Sequence, residues 1–127
     1  MKVSEDELSF LTGVADLDGG IAALWHRGLR AMAVTLGPGG AVLATERHRA
    51  TVGGFSVKVV DTVGCGDAFT ASLLTDLAAS QEELGSVAGL ERLARRACAS
   101  GAITAMSAGA MEALPTAERR AAFLADL

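Results

Sequence analysis

Val59-Val60-Asp61-Thr62-Val63-Gly64-Cys65-Gly66-Asp67-Ala68-Phe69 is the stretch on which the reading of this chain turns. A β-branched apolar run gives way to two glycines one residue apart, and beyond them Phe69, Leu73, Leu74 and Leu77 fall on one helical face. Strand, tight turn and helix are therefore expected in immediate succession. Such a junction is a ready anion site, because the first amides of a helix lack carbonyl partners and the helix dipole adds partial positive charge there. Gly64, Cys65 and Gly66 would supply those amides, and the glycines let a ligand approach the backbone closely. Asp67 follows at once, in reach of a hydroxyl whose proton it could take, although the dipole alone also favours an acid in a first helical turn.

Working upstream, Val57 to Val60 reads as a β-branched strand bounded by Gly53-Gly54. Ala41 to Thr45 is another short strand, and Ala31 to Leu36 is an apolar run that stops at the turn Gly37-Pro38-Gly39-Gly40. Leu17, Ile21 and Leu24 recur at helical spacing behind Asp16 or Asp18 as cap, predicting a helix that ends near Arg27. Ser4 and Glu7 have capping-box spacing, which predicts a helix over Glu5 to Thr12 closed by Gly13.

Downstream, Leu93, Ala94, Ala97, Cys98, Gly101 and Ala102 continue a helical stripe from Leu90, opposite Arg92, Arg95 and Arg96, which read as a solvated face. Pro115 and Thr116 announce a last helix carrying Phe123, Leu124 and Leu127. Trp25 and Cys98 read as packing residues, and His26 and His48 have no catalytic spacing. Strands alternating with helices predict an α/β layered fold with a mainly parallel sheet, which places ligands at the carboxyl ends of strands.

The 127 residues suit one domain, and with 50% hydrophobic and 20% charged residues the chain should fold. A formal charge of -4 offers no basic field, which argues against nucleic-acid or membrane-surface partners. The longest uncharged stretch, Ala97 to Met111, falls short of the roughly 20 apolar residues that span a bilayer. With acids and no apolar core at Met1 to Leu8, a cytoplasmic location is expected. The two cysteines, Cys65 and Cys98, sit in no zinc-like cluster.

Asp61-Thr62-Val63-Gly64-Cys65-Gly66-Asp67 is similar to the DTxGAGD signature of the PfkB/ribokinase-type carbohydrate kinases, with Cys65 in place of the usual Ala. Val34-Thr35-Leu36-Gly37-Pro38-Gly39-Gly40-Ala41 resembles the strand and turn that line the nucleotide site in that family. Gly101-Ala102, Gly109-Ala110 and Leu114-Pro115-Thr116 resemble its closing helix and turn, most like fructokinase-type members. The resemblance implies the carboxy-terminal half of a ribokinase-like fold, 1–127 being a single partial kinase domain. It implies ATP-dependent phosphorylation of a sugar hydroxyl, with Asp67 as base and the amides of Gly64, Cys65 and Gly66 as anion hole. Thr35, Gly37, Gly40 and Thr62 would then bind the nucleotide.

Ser4 to Glu7 matches the position of the family's NxxE motif, with Ser4 replacing Asn, so Glu7 is a candidate for organising Mg2+ through water, while the capping box explains the same pair without metal. Asp61 matches a carboxylate at a monovalent-cation site, but Ala113 brings no side-chain oxygen where some members have Ser. The residues that hold the sugar in such kinases, and their β lid, have no counterpart in the sequence given, so the sugar is not identified and a cut sheet edge would await self-association or a complementary amino-terminal half. A non-catalytic nucleotide-binding remnant or assembly subunit is the competing reading. A dinucleotide-binding Rossmann motif fails, since Phe69 stands where its third glycine belongs.

Overall fold

The computed structural model describes residues 1–109, 111 and 113–127. Among them the chain forms β1 (Lys2–Ser4), α1 (Glu5–Thr12), α2 (Leu17–Leu24), β2 (Met32–Thr35), β3 (Ala41–Ala44), β4 (Arg49–Val52), α3 (Cys65–Ala79), α4 (Val87–Ala105) and α5 (Ala117–Ala125). The strands make one sheet in the order β1-β2-β3-β4. β1 lies parallel to β2, with Val3 beside Val34, while β2–β3 and β3–β4 are antiparallel. The sheet is thus mixed. A parallel pair needs a crossover, which α1 and α2 supply, whereas the short Gly37–Gly40 turn returns the chain directly alongside itself.

The expected α/β layering follows from alternation along the strands. Met32, Val34, Val42 and Val3 face α1 and α2, packing with Leu8 and Ile21. Ala33, Ala41, Leu43 and Ala50 face the other way, onto Phe69 and Leu73 of α3 and Leu90, Leu93, Ala94 and Ala97 of α4. Both faces being covered, β2 and β3 read as near-continuous apolar runs. Trp25 packs at the border of the first core and Cys98 at that of the second, as their sequence setting predicts.

The caps form as read. Ser4 Oγ accepts from the Glu7 amide at 3.1 Å while Glu7 Oε2 accepts from the Ser4 amide at 2.7 Å, and Gly13 closes α1 with φ 67°. Asp16, not Asp18, caps α2, which ends at Leu24 and not near Arg27.

Two further expectations are corrected, and one strand is added. Val57 to Val60 is not a strand: the amides of Val60 and Asp61 both donate to the Ala105 carbonyl at the end of α4, at 2.7 and 3.2 Å, instead of joining a ladder. The fourth strand is Arg49–Val52, a short run in which Arg49 and Thr51 are exposed and Ala50 is buried. The arginines of α4 are not simply solvated: Arg92 and Arg96 pair with Glu83, Arg96 also pairs with Asp76 of α3, and Arg95 lies over the Phe55 ring. Ala110, part of the motif-like turn after α4, lies outside the described residues.

Candidate functional site

The decisive stretch folds as a turn that leads directly into α3. Gly64 is its N-cap, with φ 83°, a left-handed conformation suited to glycine, so Cys65, Gly66 and Asp67 are the first three helical residues. The Cys65 amide turns to the Thr62 carbonyl at 3.3 Å, and the first intrahelical bond runs from Ala68 to Gly64 at 2.8 Å. The amides of Gly66 and Asp67 donate to no carbonyl among the described residues. These are the orphan donors of a 15-residue helix, where the dipole favours an anion. Asp67 itself is exposed at the mouth of the turn.

Asp61 clasps the approach to this turn. One carboxylate oxygen accepts from the Val63 amide at 3.0 Å and the other from the Gly109 amide at 3.4 Å. The Val63 bond, then the Gly109 bond, hold its carboxyl below the usual aspartate range. Glu7 is likewise held low, first by the Ser4 amide and then by the charge of Lys2. Burial, and then the charge of Asp61, push the Cys65 thiol up. Burial also pushes Cys98 up, to about 11.

A cavity of about 660 Å³ opens beside the turn. Its wall brings together Thr35, Gly37 and Gly40 from the β2–β3 turn with Thr62, Cys65 and Gly66 from the start of α3. Gly64, Asp67, Glu7 and Asp61 lie outside that lining. Gly101 of α4 closes it from the far side: a β-carbon there would stand 3.3 Å from the Cys65 carbonyl, so the small residue lets α4 cross the first turn of α3. The glycine turns fit as tightly. A β-carbon on Gly40 would stand 2.0 Å from the Val52 carbonyl and one on Gly54 2.1 Å from that of Pro38, which puts residues 37–40 against 53–54, backbone to backbone.

Two neighbours escaped the sequence reading. Lys2 brings its Nζ to 3.3 Å from the point a Gly66 β-carbon would occupy, adding positive charge beside the free amides. Alternation would have found it, since Val3 faces the α1–α2 core and Lys2 must face the other way. Phe55 also lines the cavity, and nothing in its local sequence marks it.

Magnesium fits the donor set loosely. Glu7 keeps one carboxylate oxygen free of the cap, which suits an ion that retains most of its waters and binds through one carboxylate and phosphate oxygens. Asp61 has both oxygens engaged by amides, and no group of three or more His, Cys, Asp or Glu side chains converges among the described residues. None of the helices described there is long and apolar enough to cross a membrane.

Residues 1–117 match the family model for "pfkB family carbohydrate kinase". The chain is 48% identical over 118 residues to fructokinase-2 of Solanum habrochaites, covering 92% of this chain and 36% of that protein. It superposes with a TM-score of 0.85 on the fructokinase of Vibrio cholerae crystallised with fructose, ADP and calcium, at 38% identity, over 97% of this chain and 40% of that one. Against the aminoimidazole riboside kinase of Salmonella enterica, crystallised with aminoimidazole riboside and an ATP analog, the TM-score is 0.82 and the identity 35%, over 97% and 41%. The chain therefore spans little more than a third of the relatives it matches.

Proposed function

We propose that this chain, which belongs to the pfkB family of carbohydrate kinases, carries the phosphoryl-donor side of an ATP-dependent, fructokinase-like sugar kinase. The carrying observation is the single cavity in which the Gly37–Gly40 turn meets the amino end of α3. Its volume suits a nucleotide, which sites of roughly 300–1,000 Å³ accept.

In this reading Thr35, Gly37, Gly40 and Thr62 hold the nucleotide. The amides of Gly66 and Asp67, with Gly64 and Cys65 shaping the turn, receive the charge that develops on the transferring phosphoryl group, and Lys2 adds to the same field. Asp67 takes the proton of the sugar hydroxyl as its oxygen bonds to the terminal phosphorus and the bond to the ADP oxygen breaks. Mg2+ near Glu7 would neutralise phosphate charge. Asp61 serves as a clasp on the turn, and a monovalent cation there would have to compete with two amides. The acceptor side belongs to an amino-terminal half, for which the outer edge of β1 and the neighbouring exposed Phe10 and Leu11 are the docking face we assign.

Coupled ADP release tests this. The chain by itself should bind nucleotide weakly and release no ADP with any hexose, pentose or nucleoside, because positioning worth roughly 7–11 kcal/mol is absent without a held acceptor. Addition of the amino-terminal half of a pfkB kinase should restore sugar-dependent release. Nucleotide binding without any restored turnover would instead favour a binding remnant.

A further inference from the structure

We propose that Phe55 is the wall on which the base of the phosphoryl donor lies, and that the base is held by stacking and shape, so the cavity takes purine nucleotides as a class. The inference rests on the nucleotide reading above and goes beyond it in naming what selects the base.

Phe55 belongs to the loop between β4 and α3, yet its ring is held from two helices. The Arg95 guanidinium of α4 lies over it, 5.1 Å from the centroid, and Phe123 of α5 meets it nearly edge-on, with centroids 5.2 Å apart and planes at 79°. Both contacts are favourable geometries for aromatic rings. A half-buried ring oriented this way still lines the cavity.

Its place along the cavity fits the base end. Gly101 marks the phosphate end, because it abuts the Cys65 carbonyl at the first turn of α3. Arg95 lies six residues earlier on α4, which at 1.5 Å per residue is about 9 Å along the helix. That separation leaves room for a sugar and phosphate between Phe55 and the free amides.

Among the described residues the side chains of the lining carry no fixed hydrogen-bond code: the polar ones are the hydroxyls of Thr35, Ser56 and Thr62 and the thiols of Cys65 and Cys98, with no acid, amide or basic side chain. A hydroxyl donates or accepts by rotating, so it serves an exocyclic amino group and an exocyclic oxygen alike. Strong rejection of one base needs a buried group that the wrong base leaves unpaired. Stacking is tolerant of base identity and grows with ring area.

Calorimetric titration of the chain with ADP, GDP, IDP, CDP and tripolyphosphate tests the proposal. The three purine nucleotides should bind within about tenfold of one another and CDP more weakly. Phe55→Leu should weaken each purine nucleotide about tenfold, as expected for loss of one stacked ring, and leave tripolyphosphate unchanged; Phe55→Tyr should retain affinity. ADP binding a hundredfold tighter than GDP would overturn the proposal while keeping the nucleotide site, since the backbone would then be reading the base. Unchanged ADP affinity in a folded Phe55→Leu variant would overturn it as well. Failure of every nucleotide and of tripolyphosphate to bind would remove the underlying site along with it.

Discussion

At the scale of single residues, Asp67 and Gly40 bear on different quantities. Asp67 is exposed and caps nothing, so Asp67→Asn should leave the fold and nucleotide affinity intact while lowering turnover of the complete kinase by about 10²–10⁴-fold, the range for loss of a general base. Steady-state kinetics with nucleotide titration separates the two effects, and unchanged turnover would move the base elsewhere. Gly40 sits at φ 101° with the Val52 carbonyl where a β-carbon would go. Gly40→Ala should therefore cost about 3 kcal/mol or more through strain and overlap together, read as a shift in the denaturant midpoint. Both residues were legible in sequence, because glycine pairs beside an apolar run mark turns whatever the fold. Phe55 was not, since distant helices hold it at the cavity, and Lys2 was legible only through its alternation with Val3.

At the scale of elements, the amino end of α3 owes its position to a brace at its other end. Asp76 accepts from Arg96 of α4 at 2.7 Å and from Arg120 of α5 at 2.9 Å, while Glu83 accepts from Arg92 at 2.8 Å and again from Arg96. The Arg96 bond is the leading cause that holds the Glu83 carboxyl below its ordinary 4.5. A carboxylate depressed in the folded state contributes stability that is present above its unfolded pKa and lost as pH falls through the folded one. The brace should thus weaken as pH drops below about 4.5, and Glu83→Gln should flatten stability against pH in that acid range while matching the parent slope near neutrality. Equal acid slopes would show that Glu83 adds nothing. Helix periodicity made α1, α3, α4 and α5 readable to within a few residues. Val57–Val60 misled because β-branched composition reports local preference, whereas the fold ties the Val60 amide to the Ala105 carbonyl at the end of α4. Arg49–Val52 was missed although its residues alternate, because the alternation lasts only four residues and its apolar members, Ala50 and Val52, are small; pairing with β3 makes it a strand.

At the scale of the whole molecule, the layered α/β class was legible because apolar runs alternate with amphipathic helices, and the mixed sheet was not, since strand direction depends on which turns are tight. The two cores flank one sheet, and neighbouring residues of a single strand serve opposite sides: Met32 and Val34 look to α1 and α2, Ala33 between them to α3 and α4. Neither β2 nor β3 can leave one core without leaving the other. Melting should accordingly be a single cooperative event, even though the helical layers lie on opposite faces of the sheet. Trp25, the only tryptophan, reports on the α1–α2 side, and far-ultraviolet circular dichroism is dominated by the longer α3 and α4 opposite. The two signals should trace the same denaturation curve, and Leu8→Ala in one core and Leu93→Ala in the other, each costing about 2–5 kcal/mol, should shift both signals together. Separated midpoints would mean that the strands, shared by both sides, do not couple them.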